Sequence, residues 1–402
     1  MKKIMIIGAG LLQSYVIKRA KELGYATVVV DKDPEAIGFK YADYEKNIDI
    51  IDKQSCLEFA REMQIDGVLT AATDYGVLTT SYIARELNLN GLKIDTAKLI
   101  KNKFEVRKKL SQDKNNTNQY FFITSLDDIE DIKDKIKYPL IVKPCDGSGS
   151  KGVSKVTNIE ELKKACKNAI KNSLSKKILL ETFVTGKEYG VESFVYKDKI
   201  YILGIMEKIM TKEPNYAELG HTISYNLNDD LRKKIETTVK NAIKTLNIDF
   251  GSVNMDIIVT NQNDVCIIDI GARMGGNLIG SHIIPMATGI DYMGNIIKAS
   301  LGENVDFENK YKHIISTRLM DFVPGKVKTL PDLSTYYKDQ DVKYIVCKLK
   351  IGDKINTYKN NLDGCGYVVV SNNDVETAKK KALKIKEDID NKIERIKERE
   401  EA

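Results

Sequence analysis
The sequence predicts a protein of α/β and α+β class: an open parallel sheet at the start of the chain, followed by regions in which antiparallel strands dominate. Three observations lead there. From Lys3 to about Lys101, short apolar strands alternate with helical patterns, the signature of parallel strands covered by helices on both faces. Residues 120 to 185 pack several strands and two helices into a short span, as a small α+β subdomain would. From Glu188 to Ile270 strands dominate with one helix near Asp230 to Leu246, which suggests an antiparallel sheet with a helix on one face.

In order, the first region reads as strand Ile4 to Ile7, a helix from Leu11 to Leu23, strand Ala26 to Val30, helix Gln54 to Met63, strand Gly67 to Leu69 and helix Tyr75 to Leu87. Gly8-Ala9-Gly10 follows the first strand, and Asp31 ends the second at the distance where an acid meets a ribose in dinucleotide-binding folds. The third glycine of that fingerprint would stand at position 13, where this chain has Gln13. The segment therefore fits either a dinucleotide site or a tight first turn of an open α/β domain. A basic helix start, "KNKFEVRKKL", and the polar stretch Ser111 to Gln119 mark a hinge and the first boundary region.

Next come strand Tyr120 to Ile123, helix Asp127 to Ile136, strand Leu140 to Lys143, a glycine and serine loop, strand Gly152 to Val156, helix Ile159 to Asn172 and strand Ile178 to Glu181. Strands Tyr189 to Tyr196, Ile200 to Glu207, Gly251 to Val259 and Val265 to Ile270 follow, then Ile314 to Met320, Tyr344 to Leu349 and Gly366 to Val370. A charged helical tail from Val375, rich in Lys and Glu, reads as a solvated helix face.

Composition narrows the function. Hydrophobic residues make up 42% of the 402, ample for two or three cores by the rough prior of ~100 to 200 residues per domain. The 63 basic and 57 acidic residues leave only +6, which argues against a nucleic-acid partner. Apolar runs stop short of the ~18 residues that cross a membrane, and Met1-Lys2-Lys3 leads straight into a strand, so no membrane association and a cytoplasmic location are expected. The six cysteines form no Cys-x-x-Cys pair, and three histidines restrict His-based metal sites and His-driven catalysis.

Two segments carry chemistry. In "YPLIVKPCDGSGSKGV", a strand ending in Lys143 runs into Gly147, Ser148, Gly149, Ser150, Lys151 and Gly152. Backbone N–H groups there can approach phosphate oxygens while serine and lysine add donors; the bland alternative is a flexible hairpin. The spacing is not that of a P-loop. In "GSVNMDIIVTNQNDVCIIDIGARMGGN", Asp256 and Asp269 lie on two strands joined by a turn near Asn261 to Asp264. Antiparallel pairing can bring both carboxylates to one end and face, as a magnesium bridging nucleotide phosphates requires. If they alternate outward instead, they are ordinary solvated acids. Arg273 follows Asp269 and precedes Gly275-Gly276, where it could hold a carboxylate or phosphoryl group in a two-pronged grip.

With these motifs in this order the chain resembles the ATP-grasp superfamily, in the carboxylate-amine ligase branch related to L-amino acid ligases, biotin carboxylase and carbamoyl-phosphate synthase. The resemblance implies an ATP-grasp fold: a parallel α/β pre-ATP-grasp domain over 1–102, an ATP-grasp domain over 103–305 with a lid at about 117–184, and a small C-terminal α+β domain over 306–402. It implies ATP and Mg2+ as cofactors, with Mn2+ able to substitute. Lys103 and Lys143 would neutralise phosphates, and Gly147, Ser148, Gly149, Ser150 and Gly152 would close over them. Glu181, Thr182 and Val184 would line the adenine and Glu188 would take the ribose. Asp256 and Asp269 would hold the metal. Arg273, Gly275 and Gly276 would stabilise the reacting group, with Arg273 and Lys143 as the catalytic cations.

"AELGHTISYNL" is similar to the branch's Gly-His segment, so His221 either touches substrate or is a structural loop histidine; Glu207 is a further candidate. The chain departs from the family's Glu-x-Asn-x-Arg pattern by having Asp269 and Gly271, which leaves the number of metal ions open. The implied reaction activates a small carboxylate, an amino acid foremost, as an acyl phosphate and joins it to an amine, releasing ADP and phosphate; a homodimer is one of the open oligomeric states. The alternatives are a bicarbonate-activating carboxylase or carbamoyl-phosphate synthase-like enzyme, and an ATP-binding regulator without catalysis.

Overall fold
Ile4 to Ile7 are all fully buried, as are Val28 to Val30 on the next strand, so the first sheet is covered on both faces as its continuous apolar strands require. The computed structural model describes residues 1–111, 119–147, 151–213 and 215–396, which fall into two compact units. The first unit comprises Met1–Thr117, Gly190–Ile205 and Leu227–Lys312. Its N-terminal sheet is parallel throughout, in the order Tyr44–Asn47, Ala26–Asp31, Lys3–Ile7, Gly67–Thr70. Met5, Ile7, Val28 and Val30 pack against Cys56, Leu57, Phe59 and Ala60 of helix Lys53–Met63 and Ile83 and Ala84 of helix Val77–Glu86. The edge strand Tyr44–Asn47 is exposed along its whole length, and without an apolar alternation it gives no strand signal in the sequence.

The turn after Lys3–Ile7 is closed by protein groups. Gly8 takes φ +105°, a region that favours glycine, and its N–H bonds Val30 O at 2.9 Å. Asp31 Oδ2 accepts from the Ala9 N–H at 2.7 Å. The Gln13 side chain fills the space beneath: a Cβ on Gly10 would lie 2.9 Å from Gln13 Oε1. Gly38 seals the same turn through its N–H to Ala9 O at 2.7 Å, and a Cβ there would lie 2.6 Å from that oxygen and 2.9 Å from Ala9 Cα. Gly38→Ala should therefore lower stability by about 1–3 kcal/mol, because backbone rather than a flexible side chain must move. Urea unfolding checks this, and a midpoint equal to that of the parent chain would show that the turn can give way.

The same unit contains the hairpin Gly251–Val259 and Val265–Gly271, continued in the sheet by 190–196 and 199–205. Val253, Met255 and Ile257 alternate inward, and Ile235, Val239 and Ile243 of helix Asp229–Thr245 are buried on one stripe.

The second unit comprises Asn118–Tyr189, Met206–Asn226 and His313–Ala402. One sheet, ordered Tyr120–Ile123, Ile178–Thr182, Leu140–Pro144, Ser154–Val156, is antiparallel throughout. Helix Ile159–Asn172 covers it with Leu162, Ala165, Cys166 and Ala169 against Leu140, Val142, Ile178 and Leu180. The helix expected from Asp127 to Ile136 is shorter, Asp128–Ile132, with Ile129 its buried residue.

In the second sheet, 206–210, Glu218–Ile223, Ile315–Leu319, Gly366–Ser371 and Val342–Cys347 are neighbours in that order. The Lys- and Glu-rich tail is helix Val375–Lys392, and it is not solvated all round: Ala378, Ala382, Ile385 and Ile389 pack on Val368 and Val370. Their four- and three-residue spacing sets one apolar stripe inside a charged run. No helix among the described residues is long and apolar enough to cross a membrane.

Candidate active site
The hairpin of the first unit places its two acids opposite one another, Asp256 against Asp269 in antiparallel register, with an irregularity immediately after Asp256. Cross-strand neighbours stand with Cβ atoms ~5 Å apart, close enough for both carboxylates to meet one cation. Lys103 reaches the pair from helix Lys103–Leu110, its Nζ 2.5 Å from both oxygens of Asp269. That helix starts where Asn102 caps the Phe104 and Glu105 N–H groups. One turn on, Arg107 donates to Ile267 O and Ile268 O at 2.8 and 3.1 Å, which fixes the helix along the Val265–Gly271 strand. A lysine in the first turn opposes the helix dipole, and the ion pair with Asp269 offsets that cost.

Arg273 follows the second strand. Its Nε and Nη2 donate to the two oxygens of Asp74 at 2.9 and 3.2 Å, and its Nη1 reaches Met274 O at 3.4 Å and Asn254 Oδ1 at 3.5 Å. Burial pulls the Arg273 guanidinium down, but the carboxylates of Asp74, Glu192 and Asp256 outweigh it and hold it above its ordinary value. Glu192 is fully buried and meets donors only: Tyr292 Oη at 2.5 Å, Asn254 Nδ2 at 2.9 Å and the Gly275 N–H at 3.1 Å. Burial pushes its carboxyl up to about 7 against the pull of those donors and of Arg273. A Cβ on Gly275 would lie 2.9 Å from Glu192 Oε2 and Asn254 Nδ2, so the loop approaches this carboxylate at a distance only glycine permits. Gly276 stands in open surroundings, its nearest neighbour Leu12 Cδ1 3.9 Å from such a Cβ.

In the second unit, Lys143 and Glu181 lie on adjacent strands and pair with each other, Nζ to Oε2 2.5 Å, both side chains buried. The base of the glycine loop is tied down by Asp146, which accepts from Ser173 Oγ at 2.8 Å and the Ser175 N–H at 2.7 Å. Gly147 packs on Pro144, and Gly152 takes φ +77°. Ser148, Gly149 and Ser150 lie outside the described residues. Thr182 donates its N–H to Gln119 O at 3.0 Å, and Val184 is half-buried just beyond the strand.

Glu188 pairs with Lys208 at 2.7 Å, and Lys208, 2% exposed, pairs with Glu218 at 2.6 Å. Glu207 pairs with Lys379 at 3.1 Å. Burial pushes the Glu218 carboxyl up, but Lys208 and His221 outweigh it and bring it to about 2. His221 is 1% exposed on strand Glu218–Ile223, and its Nδ1 meets no hydrogen-bond partner among the described residues.

Burial pulls His221 from 6.5 down to about 4, with Glu218 opposing. The stability this group contributes is present above 6.5 and is lost as pH falls through 4. Fully developed it is on the order of 3 kcal/mol. His221→Gln should flatten that slope. Thermal midpoints at about pH 7 and about pH 4.5 measure it; an equal loss in variant and parent would rule the histidine out as the cause.

Sequence reasoning missed Asp74, Glu192, Arg107 and Lys208. Glu192 offered one signal, a carboxylate inside the apolar run Tyr189 to Val195. Asp74 offered none, since Arg273 lies 199 residues away. Among the described residues no group of three or more His, Cys, Asp or Glu gathers as a metal donor set. The paired Asp256 and Asp269 nonetheless fit a hard divalent cation whose other ligands come from phosphate and water.

Residues 136–281 match the ATP-grasp domain family, and residues 321–394 match L-amino acid ligase C-terminal domain 2. Among curated relatives, a formate-dependent phosphoribosylglycinamide formyltransferase of Prochlorococcus marinus is 30% identical over 190 residues, 46% of this chain and 48% of the relative. This chain thus spans about half the length of the curated relatives it matches first. A carbamoyl phosphate synthase large chain of Caldanaerobacter subterraneus is 22% identical over 75% of this chain and 29% of its own length. The crystal structure of an L-amino acid ligase from Bacillus licheniformis superposes with a TM-score of 0.84 at 22% identity, covering 99% of both chains. That of a phosphoribosylglycinamide synthetase from Anaerococcus prevotii gives 0.78 at 24% identity, covering 99% of this chain and 100% of the other.

Proposed function
We propose that this chain, which carries an ATP-grasp domain and an L-amino acid ligase C-terminal domain, is an ADP-forming ligase that joins a small carboxylate, foremost an amino acid, to an amine. The observation that carries the reading is the in-register pair Asp256 and Asp269, with Lys103 on the second acid and Arg273 four residues beyond it. Asp256 and Asp269 would hold a magnesium ion, which would neutralise phosphate charge.

In the first step a carboxylate oxygen of the substrate attacks the γ-phosphorus of ATP; the bond from γ-phosphorus to the bridging oxygen breaks, giving acyl phosphate and ADP. Phosphoryl transfer of this kind asks the protein for position and charge, not covalent chemistry. Within the first unit Lys103 is held by Asp269, and within the second Lys143 is held by Glu181, so each lysine is a cation with a fixed position. In the second step the amine forms the C–N bond, the C–O bond to phosphate breaks, phosphate leaves and the ammonium proton passes to solvent. Arg273 would stabilise the charge that develops on the acyl oxygen; the Gly275 N–H, expected from the sequence to share that role, is instead given to Glu192. Glu188 takes the ribose, with Lys208 setting its orientation.

The test is ADP and phosphate release from ATP and magnesium with pooled L-amino acids. Release that depends on the pool supports the ligase. Dependence on bicarbonate alone moves the assignment to a carboxylase, AMP with pyrophosphate contradicts an acyl phosphate, and tight ATP binding without turnover identifies a regulator.

A further inference from the structure
Side chains two apart on a strand share a face, so Asn254 and Asp256 look the same way as Asp269 and position 271 on the neighbouring strand. Asp256 stands opposite Asp269 and Asn254 opposite Gly271, two successive rungs on that face. The first rung carries two carboxylates. The second carries one amide, with no side chain across from it.

The space over Gly271 is filled by the arginine that follows. A Cβ on Gly271 would lie 3.1 Å from Arg273 Cζ and 3.3 Å from its Nε, so the guanidinium is folded back over the second rung, beside the acids rather than beyond them. Asn254 gives Nδ2 to the buried Glu192 at 2.9 Å, which turns its oxygen toward Arg273, 3.5 Å from Nη1. Asp74 holds the other edge of the fork, from Nε and Nη2, at 2.9 and 3.2 Å. Asp74 is itself delivered by an anchored loop: Gln13 donates Nε2 to Ala71 O, and the Ala72 N–H meets Met274 O at 3.2 Å. The charge of Asp256 also acts on Arg273, which makes the guanidinium a fixed, permanent cation on the acid face.

We infer that this site takes one divalent cation, on Asp256 and Asp269, and that the Arg273 guanidinium occupies the position where a second ion would stand. The inference rests on the ligase reading above. Paired ions in phosphoryl-transfer sites lie ~3.5–4 Å apart and share ligands, so a second ion here needs a further protein oxygen next to the acids. In one direction along the face the next residue is Ile258, which offers no oxygen. In the other it is Asn254, whose amide oxygen already faces a positive charge that would repel a metal ion. A single ion completes its shell with phosphate and water.

The ions are counted on complexes with a non-hydrolysable ATP analogue, so turnover plays no part. The parent chain, Arg273→Ala and Arg273→Gln are brought to equilibrium by dialysis against the analogue and Mn2+, bound manganese and nucleotide are assayed, and the Mn2+ EPR spectrum is recorded on the same samples. The parent should hold about one manganese per nucleotide, with the spectrum of an isolated ion, and both variants about two, with the spin coupling of neighbouring ions. Two coupled ions in the parent overturn the inference and leave the ligase reading standing. A single ion in both variants, with nucleotide bound, removes the guanidinium from the second position. Nucleotide bound by the parent without manganese overturns the assignment of Asp256 and Asp269, and the ligase reading with it.

Discussion
Asp269→Asn should lower amino-acid-dependent ADP release by ~100-fold or more, the order seen when a preorganised charge is removed from a reacting phosphoryl or acyl group. The substitution keeps shape and changes charge. It leaves one carboxylate, Asp256, in the pair where there were two, and it replaces an acceptor that Lys103 meets through both oxygens with an amide offering one acceptor oxygen and one donor nitrogen. Lys103 then loses the partner that holds it at its post on the first turn of its helix. The apparent magnesium requirement should rise along with the loss of rate. Because the Asp269 side chain is 41% exposed, folding should be little affected, and a thermal midpoint near that of the parent would confirm it. Activity within a few-fold of the parent, over a magnesium titration, would remove both acids from the metal assignment.

Arg273→Lys should cost ~100- to 1,000-fold in kcat/KM while preserving the positive charge. The guanidinium is planar and forked: one edge meets both oxygens of Asp74, and Nη1 is directed at Met274 O and Asn254 Oδ1. An ammonium cannot span these partners, so Asp74 and Asn254 lose their common anchor, and with Asn254 shifts a donor to the buried Glu192. A stability loss of about 1–3 kcal/mol should accompany the kinetic effect, since a buried acceptor network is left short of donors. Steady-state kinetics with separate carboxylate and amine titrations, alongside urea unfolding, measure both. A lysine variant with parental kcat/KM would show that charge alone is required at 273 and that the fork is incidental.

How much was legible depended on distance along the chain. The opening sheet could be read because Ile4 to Ile7 and Val28 to Val30 are continuous apolar runs punctuated by glycine and turn residues. The tail was misjudged because its charges outnumber Ala378, Ala382, Ile385 and Ile389, although their spacing already described a buried stripe. The strand Tyr44–Asn47 escaped because an exposed polar edge segment takes its conformation from a neighbour rather than from its own pattern.

By itself the sequence determined the hairpin and allowed Asp256 and Asp269 to meet; the register shift beside Asp256, which sets the two acids opposite each other, was decided by the structure. The sequence likewise showed, at Gln13, that the first turn breaks the dinucleotide pattern. Only the tertiary structure decided what that glutamine does, where Asp74 goes and why Glu192 is buried, since the contacts concerned join residues 58, 199 and 100 positions apart. No periodicity encodes such pairings; they arise when separately folded segments pack and each buried charge or polar group must find its partner.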